Sequence, residues 1–503
     1  MNRSLKVMLW GKEIGRLSWD NRRRLSYFTF NPDLTDMNWD MAPLTAPVKD
    51  AQGNHRPVIY GRKGETYQNL PPFLADSLPD TWGNRLFECW RIENKIPNAD
   101  ITPLDKLSFI GKRGMGAFEF EPSTGMAATT DEIDVRSLAD LAQKIFAERE
   151  NVRILPEESL TLQALIALGT SAGGRQPKAV IAIDPETGEI RSGQIAGLKG
   201  FDYCILKFGD AERSSAELEM TYFRMARMAG IRMDDSRLLN VEGKKHFLTK
   251  RFDRIGDKKL HTQTLAAIAP EADSYESLLS VCRRMHLREA DAEEVFRRMV
   301  FNILANNTDD HNKNFSFIMD QDGRWRLSPA YDVTYIFNSG GYLPEQDHCI
   351  TVRGKSRDVT EEDVLAFAAD NGIRKAESII REVVPAIASF RTLARQNGVG
   401  EQWTGRIEKC LAQHLADWKI IPPVEQVAIY TDASGHIIYA ARIEEAYRGN
   451  YHLLANIDGR QYKHIIRSGT PEHDAIGRLG SMNIPPEKLR QMVERYLVPK
   501  AER

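Results

Sequence analysis

The chain has 503 residues, of which 42% are hydrophobic and 27% are charged, and its formal net charge is -2. This length supports two or three domains with cores of their own, and this composition excludes an intrinsically disordered protein. The nearly balanced charge excludes recruitment of nucleic acid by an overall positive field, so DNA contact would require a local patch or a partner.

The five cysteines are scattered along the chain without a CxxC pair. Such spacing excludes a disulfide framework or a zinc knuckle and is typical of reduced thiols. The initial segment MNRSLKVMLWGKEIG lacks an apolar signal-peptide core, and no apolar run reaches the length of a membrane span. The sequence therefore predicts a cytoplasmic protein with no membrane partner.

Residues 1 to about 125 are predicted to form a small α+β module. Alternating apolar and polar side chains around Gly11 and Lys12 predict a β-hairpin, and LSYFTF (25–30) predicts a third strand. DTWGNRLFECWRIENK (80–95) has the spacing of an amphipathic helix, whereas LSFIG (107–111) and AFEFEP (117–122) are expected to be strand and turn. We interpret this region as a packing module and not as an independent active site.

Residues from about 126 to 422 have strand patterns first and helix patterns later. FDYCILKFG (201–209) is a predicted strand, and AELEMTYFRMARMAG (216–230) is a predicted helix that ends at Gly230. From EEVFRRMVFNILANN (293–307) onward the pattern is mostly helical. This order is typical of a bilobal kinase-like α+β fold that holds a nucleotide between its lobes, with an N-lobe to about residue 255.

A third region, from about 423 to 503, follows the proline-marked junction IIPPVEQ. VAIYTDASGHIIYAARI (427–443) predicts a hairpin with its turn at residues 433–435. YHLLANI (451–457) and KHIIR (463–467) predict further strands, and PEKLRQMVERYL (486–497) predicts a closing helix. We expect an α+β extension whose role the sequence does not define.

The most informative segment is TDDHNKN (308–314), which is followed by Asp332 in LSPAYDV. Asp309 and Asn314 have the D-x4-N spacing of protein-kinase catalytic loops, although His-Arg does not precede the aspartate. In such a loop the first carboxylate accepts or steers the proton of the attacking hydroxyl. Asn314 and Asp332, the latter expected on a following strand, would supply the oxygen ligands that Mg²⁺ takes beside ATP.

Residues before this loop are candidates for binding the nucleotide. Gly173 and Gly174 in TSAGGRQPK would let backbone N–H groups approach the phosphates, with the positive Arg175 and Lys178 close by. A turn is the alternative interpretation of this glycine pair. The string KRFDR (250–254) is expected to end a strand and become the hinge beside adenine.

Lys207, at the end of an apolar strand, is a second candidate for the phosphates. Glu219 on the following helix would orient Lys207 as an ion pair, and Glu217 is a competing partner. A surface lysine at a strand end is the alternative interpretation.

The polar loop admits other interpretations. A metal-hydrolase cluster of Asp309, Asp310 and His311 would need a second histidine-rich partner, and the other histidines are dispersed. We therefore assign His311 a structural or indirect role beside the nucleotide. A solvated turn that caps a helix is the third interpretation of the loop.

The chain resembles a known family, the HipA-like serine/threonine kinases, which are toxins of bacterial toxin–antitoxin systems. The resemblance covers residues 5 to about 400, and its segments occur in the same order as in the family. The segments that carry it are FLADSLPDTWGNRLF, TSAGGRQPK, KRFDR, TDDHNKNFSF, LSPAYDV and ITVRGKSRDVTEEDVLAFA. The resemblance implies a kinase fold behind a small N-terminal subdomain.

The resemblance also implies a role for each matching residue. Asp309 would be the catalytic aspartate, Asn314 and Asp332 would bind magnesium, and Lys207 would bind the ATP phosphates. Ser171 matches the serine that the family autophosphorylates to switch itself off, with Thr170 as an alternative acceptor. The remaining nucleotide-binding positions would be Ala172, Gly173, Gly174, Arg175, Gln176, Lys178, Glu219, Lys250, Phe252 and His311.

The sequence departs from the family pattern in two places. Asp310 stands where the family would have glycine, so a second carboxylate is expected to raise a pKa by like-charge repulsion or to recruit a cation. Lys250 stands where relatives carry an acid, although hinge contacts to adenine are made largely by the backbone.

Partners follow from the resemblance as well. It implies a protein substrate such as an aminoacyl-tRNA synthetase and a small helix-turn-helix antitoxin through which DNA would be contacted indirectly. A homodimer is left open. Two rival functions are a small-molecule phosphotransferase on the same fold and a catalytically silent scaffold or co-repressor.

Overall fold

A computed structural model describes the chain over most of its length. The described residues are 3–36, 38–50, 52–54, 56, 58–124, 133–147, 155–169, 176–195, 197–336, 347–418, 428–431, 437–446, 450–457, 460–479 and 484–497. Within them no helix is both long and apolar enough to cross a membrane. The five cysteines are all described, and each is a free thiol.

The N-terminal module is a five-stranded antiparallel sheet with helices packed against it. Its elements are β1 Ser4–Leu9, β2 Lys12–Asp20, β3 Leu25–Phe30, β4 Ile59–Tyr60, β5 Phe118–Glu121, α1 Pro72–Ala75, α2 Thr81–Glu93, α3 Pro103–Ile110 and the 3₁₀ turns Pro32–Asp36 and Asn98–Asp100. Leu5 and Leu17 face each other across the hairpin, and both are buried. The predicted hairpin and the third strand are thus confirmed.

The prediction of a strand at LSFIG is wrong, because this run lies at the end of helix α3. Thr102 and Asp105 form a capping box, and Pro103 occupies the first helical turn. Both features favour a helix start at this point. All four residues from Leu107 to Ile110 are buried in α3, including the polar Ser108. A short, mostly apolar run does not distinguish a buried strand from a buried helix.

The next lobe is built on a second five-stranded sheet, with strand order β7-β6-β8-β10-β9. Helices α4 and α5 pack on one face of this sheet, and helix α6 packs on the other. The elements are α4 Val135–Ala147, the 3₁₀ turn Pro156–Glu158, α5 Ser159–Leu168, β6 Lys178–Ile183, β7 Ile190–Ser192, β8 Asp202–Lys207, α6 Ser215–Met228, β9 Ser236–Val241 and β10 Lys244–Lys250. Neighbouring strands are antiparallel throughout.

The second lobe is mostly helical, as the sequence predicts. It contains a small sheet with the strand order β13-β14-β15. Its helices contribute most residues of the largest hydrophobic cluster. The elements are β11 Arg254–Ile255, β12 Lys258–Lys259, β13 His261–Thr264, α7 Leu265–Ile268, α8 Tyr275–Arg284, α9 Glu289–Leu304, β14 Ser316–Met319, β15 Trp325–Leu327, α10 Glu361–Asp370, α11 Ala376–Ala388, α12 Phe390–Asn397 and α13 Glu401–Asp417.

The C-terminal extension has a hydrophobic cluster of its own, which includes Leu453, Leu489 and Val493. Its antiparallel strands follow the order β16-β17-β18-β19. The elements are β16 Ala428–Thr431, β17 Ile437–Ala446, β18 Asn450–Ile457, β19 Arg460–Ile466, α14 Pro471–Leu479 and α15 Pro486–Tyr496. The predicted hairpin strands and closing helix are present, and the predicted turn at 433–435 lies outside the described residues.

The N-terminal module meets the helical lobe at His261, which is fully buried in β13. Its ring contacts Phe118 and Trp325, and Nε2 lies 3.1 Å from the backbone oxygen of Met41. Because a carbonyl oxygen only accepts, Nε2 carries the proton of a neutral ring. Burial lowers the pKa of His261 from 6.5 to about 4.

This buried histidine predicts a pH dependence of stability. Since the folded pKa is depressed, the contribution of neutral His261 is complete above pH 6.5 and is lost as pH falls towards about 4. Over that window the loss amounts to about 3 kcal/mol of unfolding free energy. Urea unfolding of the protein and of His261→Gln at several pH values should show a flatter dependence for the variant. Parallel curves would contradict the prediction.

Candidate active site

A buried ion triad lies in the cleft between the two lobes. Lys207 ends strand β8, and its Nζ lies 2.5 Å from Glu219 Oε1 and 2.5 Å from Asp332 Oδ1. Glu219 projects from α6, while Glu217 on the same helix pairs with Lys245 at 3.7 Å. The choice that the sequence leaves open is therefore settled geometrically in favour of Glu219. The strand, the helix and the loop after β15 each supply one charge.

Asp332 does not lie on a strand, which corrects that expectation. Strand β15 ends at Leu327, and Asp332 has the left-handed φ of 55° that non-glycine residues rarely adopt. The neighbouring Tyr331 donates a hydrogen bond from its hydroxyl to the backbone oxygen of Lys313 at 2.7 Å. A backbone held in this region costs about 1 kcal/mol or more, so the surrounding contacts fix the direction of the carboxylate.

The electrostatics of the triad favour the charged forms of Lys207 and Asp332, whereas burial raises the pKa of Glu219. Burial opposes the charge of Lys207, but Asp332 and Glu219 outweigh it and raise the pKa of the ammonium above its usual range. Burial likewise opposes the charge of Asp332, while Lys207 and Lys178 lower the pKa of the carboxyl to about 2. A lysine held between two carboxylates can be released towards a third anionic group without leaving the cleft.

The loop 308–314 lies between α9 and β14, and its Asn314 lines the same small cavity as Asp332 of the triad. Asn314 Nδ2 donates to the backbone oxygen of Asp309 at 2.7 Å, so the loop closes on itself between these two residues. The Asp309 carboxylate is 41% exposed and lies 3.6 Å from His311 Nε2. His311 Nδ1 accepts from the backbone N–H of Lys313 at 3.2 Å, which is the structural role expected of this side chain.

The oxygens of Asn314 and Asp332 fit a hard cation. Because Asn314 donates through Nδ2, its Oδ1 faces away from that bond, and it accepts no hydrogen bond from any described residue. Asp332 uses Oδ1 for Lys207 and has a second oxygen to offer. An amide oxygen and a carboxylate are ligands that Mg²⁺ prefers, so Asn314 and Asp332 would supply two protein ligands to this ion.

Asp310 does not join Asp309, contrary to expectation. Its carboxylate is fully buried and accepts hydrogen bonds from the Tyr275 hydroxyl, the Cys349 backbone N–H and His348 Nδ1, at 2.8–2.9 Å. These bonds connect the loop 308–314 to α8 and to the segment that begins at residue 347. Since Asp310 points away from Asp309, the two carboxylates and His311 do not converge on one ion.

Two hinge residues lie at the end of β10. Lys250 pairs with Asp202 at 3.0 Å, and the Phe252 ring stacks on Tyr331 with 5.2 Å between centroids. A cavity of about 300 Å³ borders this segment and is lined on its other sides by Ile318 and Leu327. The hinge is thus fixed to both lobes.

The glycine-rich loop lies mostly outside the described residues, including Ser171, Ala172, Gly173, Gly174 and Arg175. Gln176 is described, and its Nε2 donates to the Phe208 backbone oxygen at 3.0 Å. Since Phe208 directly follows Lys207, the loop returns to the sheet beside the triad.

Lys178, at the start of β6, is buried next to Lys207 in the sheet register. Its ammonium lies 3.7 Å from Asp80 of the N-terminal module. No role for Asp80 follows from the sequence, although FLADSLPDTWGNRLF is among the segments that carry the family resemblance. A helix-capping aspartate is the ordinary interpretation of DTWG, and only the fold brings this aspartate to the cleft.

Substitution of the neighbouring residues Asp309 and Asp310 is predicted to change the unfolding free energy by very different amounts. Asp310→Ala would leave buried donors of Tyr275 and Cys349 unsatisfied and should lower the unfolding free energy by about 3 kcal/mol. Asp309→Ala, at a partly exposed position, should change it by no more than about 0.5 kcal/mol. Chemical unfolding of the two variants tests this contrast. Equal losses would show that Asp310 does not anchor the loop.

Comparisons with known proteins identify the family of the chain. The HipA N-terminal domain model matches residues 5–121, and the HipA-like C-terminal domain model matches residues 170–390. A provisionally named kinase from Haemophilus influenzae is 25% identical over 276 residues, or 48% of this chain and 78% of that protein. The provisionally named kinase Y4mE from Sinorhizobium fredii is 24% identical over 413 residues, or 77% of this chain and 91% of that protein.

A solved structure shares the fold. The Shewanella oneidensis HipA structure, described as a complex of HipA, HipB and operator DNA, aligns with a TM-score of 0.57 and 17% identity. The alignment covers 82% of this chain and 96% of that chain. The two matching domain models together span more than half of the sequence. The chain therefore belongs to the HipA family and has its kinase-like α+β fold.

Proposed function

We propose that this protein is an ATP- and magnesium-dependent serine/threonine protein kinase that acts as the toxin of a toxin–antitoxin system. The observation that carries the proposal is the contact of Lys207 with both Glu219 and Asp332, together with the position of Asn314, which lines the same small cavity as Asp332 and donates to the backbone oxygen of Asp309. A phosphotransferase needs these parts, because its catalysis consists mostly of positioning and charge neutralisation.

Each side chain has a distinct task in this proposal. Lys207, oriented by Glu219, binds phosphate oxygens, while Asn314 Oδ1 and Asp332 hold magnesium, which when bound neutralises charge on the triphosphate. Lys178 adds a second positive charge at the phosphates. The adenine lies at the hinge, where the backbone of Lys250 and Phe252 contacts it. The sheet face that bears both lysines covers this cleft.

Asp309 contacts the hydroxyl group of the substrate. Its carboxylate is exposed enough to contact a protein hydroxyl, and the hydrogen bond from Asn314 to its backbone oxygen fixes its position. The hydroxyl oxygen attacks the γ-phosphorus, ADP departs, and Asp309 accepts or steers the hydroxyl proton.

Ser171 is the proposed site of autophosphorylation, and the loop from Ala172 to Gln176 covers the nucleotide. Support comes from Gln176, whose side chain donates to the backbone oxygen of Phe208, the residue that follows Lys207. A phosphate on Ser171 adds close to two negative charges and would compete with ATP for the same cations. Autophosphorylation would therefore switch the kinase off.

The proposed partners rest on family membership. The Shewanella relative is described in complex with HipB and operator DNA, and we infer a comparable small antitoxin for this chain, with DNA contacted through it. An aminoacyl-tRNA synthetase is the proposed substrate, in the cytoplasm.

Asp309→Asn is the first test. Removal of the carboxylate should lower the rate of phosphate transfer by about 100-fold or more, because a positioned acid–base group contributes that much. The protein would be incubated with ATP and Mg²⁺, and added phosphate would be located by mass spectrometry. Asp322→Asn, an exposed carboxylate in the β14–β15 turn, is the control and should retain full activity. Chelation of Mg²⁺ should abolish transfer.

The outcomes separate the rival functions. Phosphate on Ser171 that is absent in Asp309→Asn supports the toxin kinase. ATP binding without self-labelling contradicts it and favours a small-molecule phosphotransferase. Absence of ATP binding favours a scaffold.

A further inference from the structure

The N-terminal module reaches into the nucleotide cleft through one carboxylate. Lys178 is 2% exposed, and its Nζ lies 3.7 Å from Asp80 Oδ2. The backbone of the same lysine is fixed by Trp82, whose indole Nε1 donates to the Lys178 oxygen at 2.9 Å. Two residues of one short segment therefore hold both the side chain and the main chain of Lys178.

Asp80 is shared between two tasks. One of its oxygens, Oδ1, accepts from the Gly83 N–H at 2.5 Å and caps helix α2. The other oxygen, Oδ2, is buried and points towards Lys178. A helix cap uses one carboxylate oxygen only, so the cap alone does not explain a second buried oxygen beside a buried ammonium.

The same segment is fixed to the other lobe as well. Four residues before Asp80, the half-buried Asp76 accepts from Thr264 N at 2.8 Å and from Thr264 Oγ1 at 2.6 Å. Thr264 ends β13, and the backbone N–H of the next residue, Leu265, donates to Phe315, directly after Asn314. The segment 76–82 therefore contacts the helical lobe at one end and the sheet lobe at the other, across the cleft.

The electrostatics explain why Lys178 needs this partner. Lys178 and Lys207 are direct neighbours in the register of β6 and β8, so their like charges repel each other. Lys207 pairs with Glu219 and Asp332, whereas Lys178 pairs with Asp80 at 3.7 Å. Burial lowers the pKa of Lys178, and Asp80 is the largest influence in the opposite direction.

We propose that Asp80 is a positioning residue of the nucleotide site, which holds the Lys178 ammonium towards the ATP phosphates. The N-terminal module thereby completes a phosphate-binding site that the two kinase lobes do not form alone. This inference rests on the proposed ATP-dependent function. It assigns to the segment 76–82 a part in ATP affinity, which a packing module would not have.

The test uses the full chain and measures the ATP dissociation constant by calorimetry, together with KM and kcat for autophosphorylation. Asp80→Asn keeps a good capping side chain for α2 but removes the charge. It should weaken ATP binding and raise KM about tenfold while kcat changes little, since ground-state and transition-state binding fall together. Asp80→Glu should restore most of the affinity.

Two further variants exclude a merely structural effect. Asp134→Asn changes the carboxylate that accepts from the Arg136 and Ser137 N–H groups at the start of α4, away from the cleft, and should bind ATP normally. Lys178→Met should weaken ATP binding by at least as much as Asp80→Asn. In a Lys178→Met background, Asp80→Asn should cause no further loss, because the carboxylate acts through that lysine.

The contrary results are distinct from one another. Wild-type affinity in Asp80→Asn would overturn the inference and leave the proposed function intact. An equal additional loss in the Lys178→Met background would overturn it too, because Asp80 would then act on the fold. If the unaltered protein does not bind ATP, the proposed function fails and the inference fails with it.

Discussion

The burial of the Lys207 ammonium is the constraint on which the cleft depends. A charge removed from water is tolerated only where opposite charges and hydrogen bonds replace its hydration. Glu219 from a helix and Asp332 from a loop supply these, each at 2.5 Å. The relative positions of β8, α6 and the loop after β15 are therefore coupled, because displacement of any one would leave a buried charge unpaired.

A second buried charge cluster fixes the hinge to the N-terminal module. Asp253 is fully buried and accepts from Arg251, from Arg254 and from the backbone N–H of Gly116. Arg251 also donates to the backbone oxygen of Gly114. The hinge segment and the glycine-containing loop before β5 thus share one carboxylate. Together with the segment 76–82, this gives the N-terminal module contacts at both ends of the cleft.

The sequence predicts the elements well where hydrophobic periodicity decides them. The hairpin at Gly11, helix α6 up to Gly230 and the helical second lobe follow from local patterns, and the structure confirms them. The strand prediction for LSFIG is wrong, because a short apolar run has the same sequence pattern in a buried strand and in a buried helix. The capping box at Thr102 decides the outcome, and it lies outside that run.

The site was predictable in its composition but not in its geometry. The spacing of Asp309 and Asn314 and the order of Lys207 and Glu219 are local signals. The pairing of Lys178 with Asp80 is not, because 98 residues separate them and only the packing of two domains brings them together. The contacts of Asp310 could not be predicted from the sequence either. Its adjacency to Asp309 suggests repulsion between the two carboxylates, but Asp310 accepts from Tyr275 and Asp309 lies beside His311.

The hydrogen bonds of Asp310 also explain how the loop tolerates a carboxylate at the position where the resemblance to the family predicts glycine. Glycine would leave the donors of Tyr275 and Cys349 to be satisfied by other groups, whereas Asp310 satisfies both and contacts His348 as well. Buried polar groups that are fully paired make a structure more rigid. In this chain the residue next to Asp309 therefore links the loop to α8 and to residues 348 and 349. Asp310 connects the loop 308–314 to Tyr275 and Cys349, and the hydrogen bond from Asn314 to the Asp309 backbone oxygen closes the loop on itself.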